Sequence, residues 1–133
     1  MVVVDTNILA YLLIKGDRTR DAQALFARDA GWKSEAFVLI EFSNILATYL
    51  RAKSLTQIQA HALLDEAEKR MTGLINLPHG RALLVAEQFA VSVYDARFLG
   101  AAQTLKARLV TEDIRLRQAA PALTISLSDA LAA

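Results

Sequence analysis

The sequence predicts an α/β fold: a three-layer α/β/α sandwich whose central parallel sheet has about five strands, built by residues 1–133 as a single domain. Three observations lead there. Short apolar stretches rich in Val, Ile and Leu recur between longer segments of helical periodicity. The first of them, Val2–Val4, is apolar on both faces, which suits a strand covered on both sides. Strands that alternate with helices need crossover connections, and those make neighbouring strands parallel.

Taken in order, the first strand runs into Asp5. Ligands of open α/β sheets sit outside the carboxyl ends of the strands, so Asp5 stands where chemistry is usually placed. It is equally an ordinary cap for the helix expected over residues 8–14, which Lys15 and Gly16 stop. Residues 19–30 form an amphipathic helix with Ala22, Leu25 and Phe26 on one side, ended by Gly31. Residues 32–34 read as a second strand. Residues 36–52 are apolar nearly all round, as in a helix packed tightly on a sheet, with Glu41 in their middle. Residues 56–71 open on a capping-box pair, Thr56 and Gln59, and place Ala60, Leu63, Leu64, Ala67 and Met71 on one face. A third strand is expected over residues 73–77, closed by Pro78. Helices at 82–90 and 95–106 follow, joined by an extended link at 91–93; Phe98, Leu99 and Ala102 face inward. Leu109 and Val110 form a fourth strand ending at Thr111, and residues 113–119 a short helix. Beyond Pro121, residues 123–127 give the last strand, and residues 130–133 are expected to fray.

Composition narrows the chemistry. There is no cysteine, which excludes disulfides and thiolate metal sites, and two histidines make a zinc site improbable. A metal here has to be a hard cation held by oxygen. No window has the apolar length of a membrane span, and the N-terminus lacks a basic segment followed by an apolar stretch; the expectation is a soluble, cytoplasmic protein without membrane contact. The net charge of +1 conceals an asymmetry. If four carboxylates are given over to a cation, fifteen basic residues against the ten remaining acids leave +5, which suits a polyanionic ligand. A merely solvated surface accounts for the same count.

Four of the fourteen acidic residues are out of place. Asp5 ends the first strand; Glu41 is embedded in FVLIEFSNIL; Asp95 opens YDARFLGAAQ; Asp113 closes LVTED. Asp95 could simply cap its helix, and Asp113 or Glu112 could be first-turn residues favoured by the helix dipole. Glu41 is harder to set aside, because helical spacing puts it on a face with Phe37, Val38, Asn44, Ile45 and Thr48. A buried carboxylate needs a partner or a proton. The separations, 36, 54 and 18 residues, suit groups brought together by crossovers. Asp5 and Asp113 end strands that could be neighbours at the switch point of the sheet. Two charges about 4 Å apart repel by roughly 4 kcal/mol at an effective dielectric near 20, so a cluster of four calls for Mg2+ or Mn2+. Metal held this way can clamp a phosphodiester, activate water and stabilise the leaving oxygen.

The segments VVVDTNIL, VLIEFSNIL, SVYDARFLGAA and LVTEDIRL, in this order and end to end, resemble a PIN-domain protein, in particular the small ribonuclease toxins of the VapC type. The resemblance implies a metal-dependent endoribonuclease, the toxin of a type II toxin-antitoxin pair. In that reading Asp5, Glu41, Asp95 and Asp113 are the catalytic metal-binding quartet. Asn7 and Thr111 take supporting positions: Asn7 to orient Asp5, Thr111 to place metal-bound water or phosphate. Local turn bonding explains either residue as well. Glu112 is a possible substitute for Asp113, though the spacing from Thr111 favours Asp113. Similar proteins form homodimers and are held inactive by a cognate antitoxin, so RNA, antitoxin and a second copy are the implied partners.

Other residues carry less. His61 lies on the polar side of a helix and His79 in a turn, so neither is placed as a general base. Arg97, Arg115 and Arg117 are candidates for phosphate contacts. Tyr94 and Phe98 read as core rather than as stacking platforms. Two other classes compete: a catalytically silent PIN-like binding domain, and a Mg2+-binding signalling module of flavodoxin-like architecture. The latter wants paired acids after the first strand and a strand-end Lys, where DTN supplies one acid.

Overall fold

Four short strands, β1 (Val2–Val4), β2 (Trp32–Lys33), β3 (Leu109–Val110) and β4 (Thr124–Ile125), organise the computed structural model, which describes residues 1–133 throughout. Their order is β2-β1-β3-β4 and every pairing is parallel. Between β1 and β2 lie α1 (Thr6–Leu13) and α2 (Thr19–Arg28). Between β2 and β3 lie α3 (Phe37–Arg51), α4 (Gln57–Arg70), α5 (His79–Phe89) and α6 (Val93–Leu105). The chain closes with α7 (Ile114–Ala119), β4 and α8 (Leu127–Ala132). Helix packing falls into two groups: α1 against α2, α3 and α4, with α8 on α2; and α5 against α6, which rests on β1 and β3. The α/β fold with its parallel sheet flanked by helices is thus as expected. At its centre Val3, Val4, Leu109 and Val110 are buried beneath both groups.

Several elements differ from expectation, α1 by starting at Thr6 and α5 by starting at His79 among them. The strand at 73–77 shrinks to one parallel bridge, Glu35 to Ile75, so the sheet has four strands. Gly73 at φ +69 bends the chain just before it and Pro78 follows just after, leaving room only for the bonds joining Ile75 to Ser34 and Ala36. The last strand ends at Ile125, and residues expected to be strand or frayed belong to α8. Ser126 caps α8 by accepting from the Asp129 N–H at 3.1 Å, and the Arg28 guanidinium bonds the carbonyls of Ala130 and Leu131. Finally, α6 begins at Val93, so the link at 91–93 is shorter than expected.

The fit of α6 to the segment before α5 is close. A Cβ on Gly100 would run into Leu77 Cδ2, and Leu77 is itself buried. Gly100→Ala is therefore expected to cost about 1–3 kcal/mol in urea unfolding, helix propensity notwithstanding. An unchanged urea midpoint would show that Leu77 can retreat.

Candidate active site

The strand order places β1 beside β3 with helical crossovers leaving on either side, so the switch point of the sheet lies between their carboxyl ends. Asp5 leaves β1 there and Asp113 follows β3. Glu41 from the middle of α3 and Asp95 from the first turn of α6 complete the wall of a cleft of about 620 Å³, into which Asn7 also faces. All four expected carboxylates line this one cleft.

Each is held by a local device. Asp5 caps α1, its Oδ1 accepting from the Ile8 N–H at 3.2 Å. Its Oδ2 accepts from the Thr111 hydroxyl across the strand pair, from 106 residues away. The same Thr111 oxygen accepts from the Asp113 N–H at 3.1 Å, so one hydroxyl ties the two strand ends together. Asp113 caps α7 by accepting from the Leu116 N–H at 3.1 Å. The Thr6 hydroxyl donates to Glu41 Oε1 at 2.6 Å, fixing α3 against the start of α1. Asp95 does not cap α6: Ser92 does, and Asp95 sits in the first turn, where the helix dipole favours a negative charge.

Burial pushes the Asp5 carboxyl up from 3.8 to about 6; hydrogen bonds from Thr111 and Ile8 oppose this, and the charges of Asp113 and Glu41 add to it. Asp95 is raised as well, by burial first and then by Asp113. The carboxylates therefore sense one another. No three acidic or histidine side chains nevertheless stand at the separations one ion would bridge. The bonds just described tie Asp5 to Thr111 and Glu41 to Thr6 across elements and hold Asp113 against α7. The donor set fits a hard cation in kind, all oxygen and mutually repelling, and Thr6 and Leu116 engage only one oxygen each of Glu41 and Asp113.

Several expectations change at the site. Asn7 lines the cleft at an exposed position, while the hydrogen bonds that hold Asp5 come from Ile8 and Thr111. Thr111 is buried, and its hydroxyl donates to Asp5 and accepts from the Asp113 N–H, so its bonds within the chain support the two acidic strand ends. Glu112 is no substitute ligand, being paired with Arg18 at 2.5 Å and Arg117 at 3.2 Å and accepting from the Leu127 N–H. Arg97 is not free for phosphate: it pairs with the buried Glu35 at 2.7 Å and also donates to His79 Nδ1. Arg117 is held by Glu112 and the Thr111 carbonyl, whereas Arg115 is exposed. Phe98 is core, but Tyr94 is 60% exposed and lines the cleft. The sequence reading missed Thr6 and Glu35. Thr6 had a signal in its place directly after Asp5; Glu35, in the polar stretch KSEA, had none.

A family model described as PIN domain matches residues 2–121. The crystal structure of PAE2754 from Pyrobaculum aerophilum is similar to this chain with a TM-score of 0.79 at 19% identity, over 98% of this chain and 93% of that one. At such identity the likeness is one of fold. No curated protein matches the sequence.

Proposed function

Since the chain belongs to the PIN domain family, whose members are generally metal-dependent nucleases, we propose that it is a Mg2+- or Mn2+-dependent endoribonuclease acting at the cleft between β1 and β3. The observation that carries this reading is the delivery of four acidic side chains by four separate elements to one cleft at the switch point. Asp5, Glu41, Asp95 and Asp113 would supply the oxygen donors. A divalent cation so held supplies positive charge against the phosphodiester and makes water acidic enough to attack at neutral pH. The chain's own part is placement. Thr111 fixes Asp5 and, through its accepted bond, the Asp113 backbone; Thr6 fixes Glu41.

The setting we propose is that of a VapC-type toxin of a type II toxin-antitoxin pair, working in the cytoplasm as a homodimer and silenced by a cognate antitoxin. No helix of this chain is long and apolar enough to cross a membrane. Purified protein with Mg2+ or Mn2+ is expected to cut RNA within a broad panel, and Asp95→Asn to cut at least about 100-fold more slowly. A folded protein that cuts none of the panel would sink the nuclease reading. Growth arrest on induced expression, relieved by Asp95→Asn, is the expected result for a toxin; normal growth with active enzyme would remove that part alone.

A further inference from the structure

One wall of the acidic cleft is aromatic. Tyr94, immediately before Asp95, is 60% exposed, and its ring lies on that of Phe37 with centroids 5.2 Å apart and planes 15° from parallel. Phe37 in turn meets the buried Phe98 at 6.4 Å. The Tyr94 ring is thus packed on one face and oriented in advance, so holding a second planar group costs it little further freedom. Ile40, 63% exposed, extends the apolar surface along the same cleft.

An apolar protein segment laid on this wall would bury the carboxylates of Glu41, Asp95 and Asp113 beside it without a counter-charge, at high cost. A nucleotide presents instead a flat base next to a phosphate. The base can cover the ring while the phosphate meets the cation-bearing carboxylates.

We propose that Tyr94, backed by Phe37, is the platform on which an unpaired nucleobase flanking the scissile phosphate stacks. The inference rests on the ribonuclease reading of the same site. A base inside a duplex has both faces covered by its neighbours, so the platform selects unpaired segments.

The test is equilibrium binding in Ca2+-containing buffer, with a labelled single-stranded oligouridylate, its abasic ribose-phosphate counterpart and a duplex, and the RNA checked as intact afterwards. Tyr94→Ala, at an exposed position, is expected to fold as the parent by circular dichroism. It should bind oligouridylate about 5- to 100-fold more weakly and the abasic strand unchanged. Tyr94→Phe should keep the parent affinity, since the stacking face survives. Equal binding of oligouridylate by Tyr94→Ala and the parent overturns the proposal, as does equal weakening on the abasic strand. A Tyr94→Ala protein that changes its self-association in sedimentation while keeping its RNA affinity overturns it too, assigning the ring to a protein contact. Tyr94-dependent binding by a protein that cuts nothing keeps the platform and removes the nuclease; cleavage with KM unmoved by Tyr94→Ala does the reverse.

Discussion

Asp5→Asn is expected to abolish metal-dependent cleavage and, in the metal-free protein at pH 7, to raise the melting temperature. The two effects share one cause. Asp5 is 8% exposed and its carboxyl is pushed up from 3.8 to about 6, mainly by burial. The folded protein therefore keeps this proton over a range where the unfolded chain has released it. Stability is higher below about pH 4 and is lost as pH rises toward 6, by about 3 kcal/mol at most from this group, and the loss persists at pH 7. Asn carries no charge to desolvate, and its amide oxygen can still accept from Thr111. Its NH2 then faces the Ile8 N–H, and that buried donor loses its acceptor at about 1–3 kcal/mol. The net expectation at pH 7 is a gain of up to about 2 kcal/mol, or a few degrees in melting temperature. At pH 4 the parent carboxyl is mostly protonated and the variant should show no gain. Melts from pH 4 to 7.5 check this, and an equal fall in both proteins across that range would refute it. Added Mn2+ should raise the parent midpoint by satisfying the same charge and leave that of the variant almost unmoved. A cation effect of equal size in both would remove Asp5 from the ligand set.

How much of this was legible in the sequence depends on how far apart the interacting residues lie. The strand-helix alternation and the four carboxylates could be read because each sits in a local pattern: an apolar run ended by an acid, or an acid within an apolar helix. That β1 and β3 would be neighbours also followed from the logic of a switch point, and Val3 pairs with Leu109 accordingly. Local signals competed at α8. Ser126 and Asp129 form an N-terminal capping pattern, but the β-branched Thr124 and Ile125 drew the strand assignment past its true end. The supporting hydroxyls were harder. Thr111 lies 106 residues from the carboxylate it serves and Thr6 lies 35 from Glu41, separations at which no periodicity speaks. Tyr94 was read as core because the helical period places a residue on a face without saying what that face looks upon. At the first turn of α6 it looks into the cleft.

Arg97→Met is expected to destabilise the fold by about 3–5 kcal/mol in urea unfolding, the typical consequence of leaving a buried carboxylate without its counter-charge. Glu35 is 1% exposed and Arg97 has a side chain 12% exposed, so solvent screens their pairing at 2.7 Å very little. The carboxylate also joins three parts of the backbone. Its Oε1 accepts from the Phe37 N–H at 2.6 Å, its Oε2 from the Leu77 N–H at 3.2 Å, and Arg97 itself donates to the Leu77 carbonyl at 2.9 Å. Glu35 thus fixes the start of α3, the chain entering α5 and, through Arg97, the first turns of α6 that carry Tyr94 and Asp95. Glu35→Gln tests the same network from the other side. An amide has one accepting oxygen and a donor where the carboxylate had its second, so at least one of the two backbone N–H groups or Arg97 loses its acceptor, at about 1–3 kcal/mol for each group left unpaired. The phosphate-contact reading of Arg97 predicts something different: near-parent stability, and a salt dependence of RNA binding reduced by about one ion. On the structural reading, variants examined below their unfolding range keep the parent salt slope, because Arg97 is already spent on Glu35. A stable Arg97→Met protein with a reduced slope would return this arginine to the RNA surface and leave the buried Glu35 carboxylate without an account.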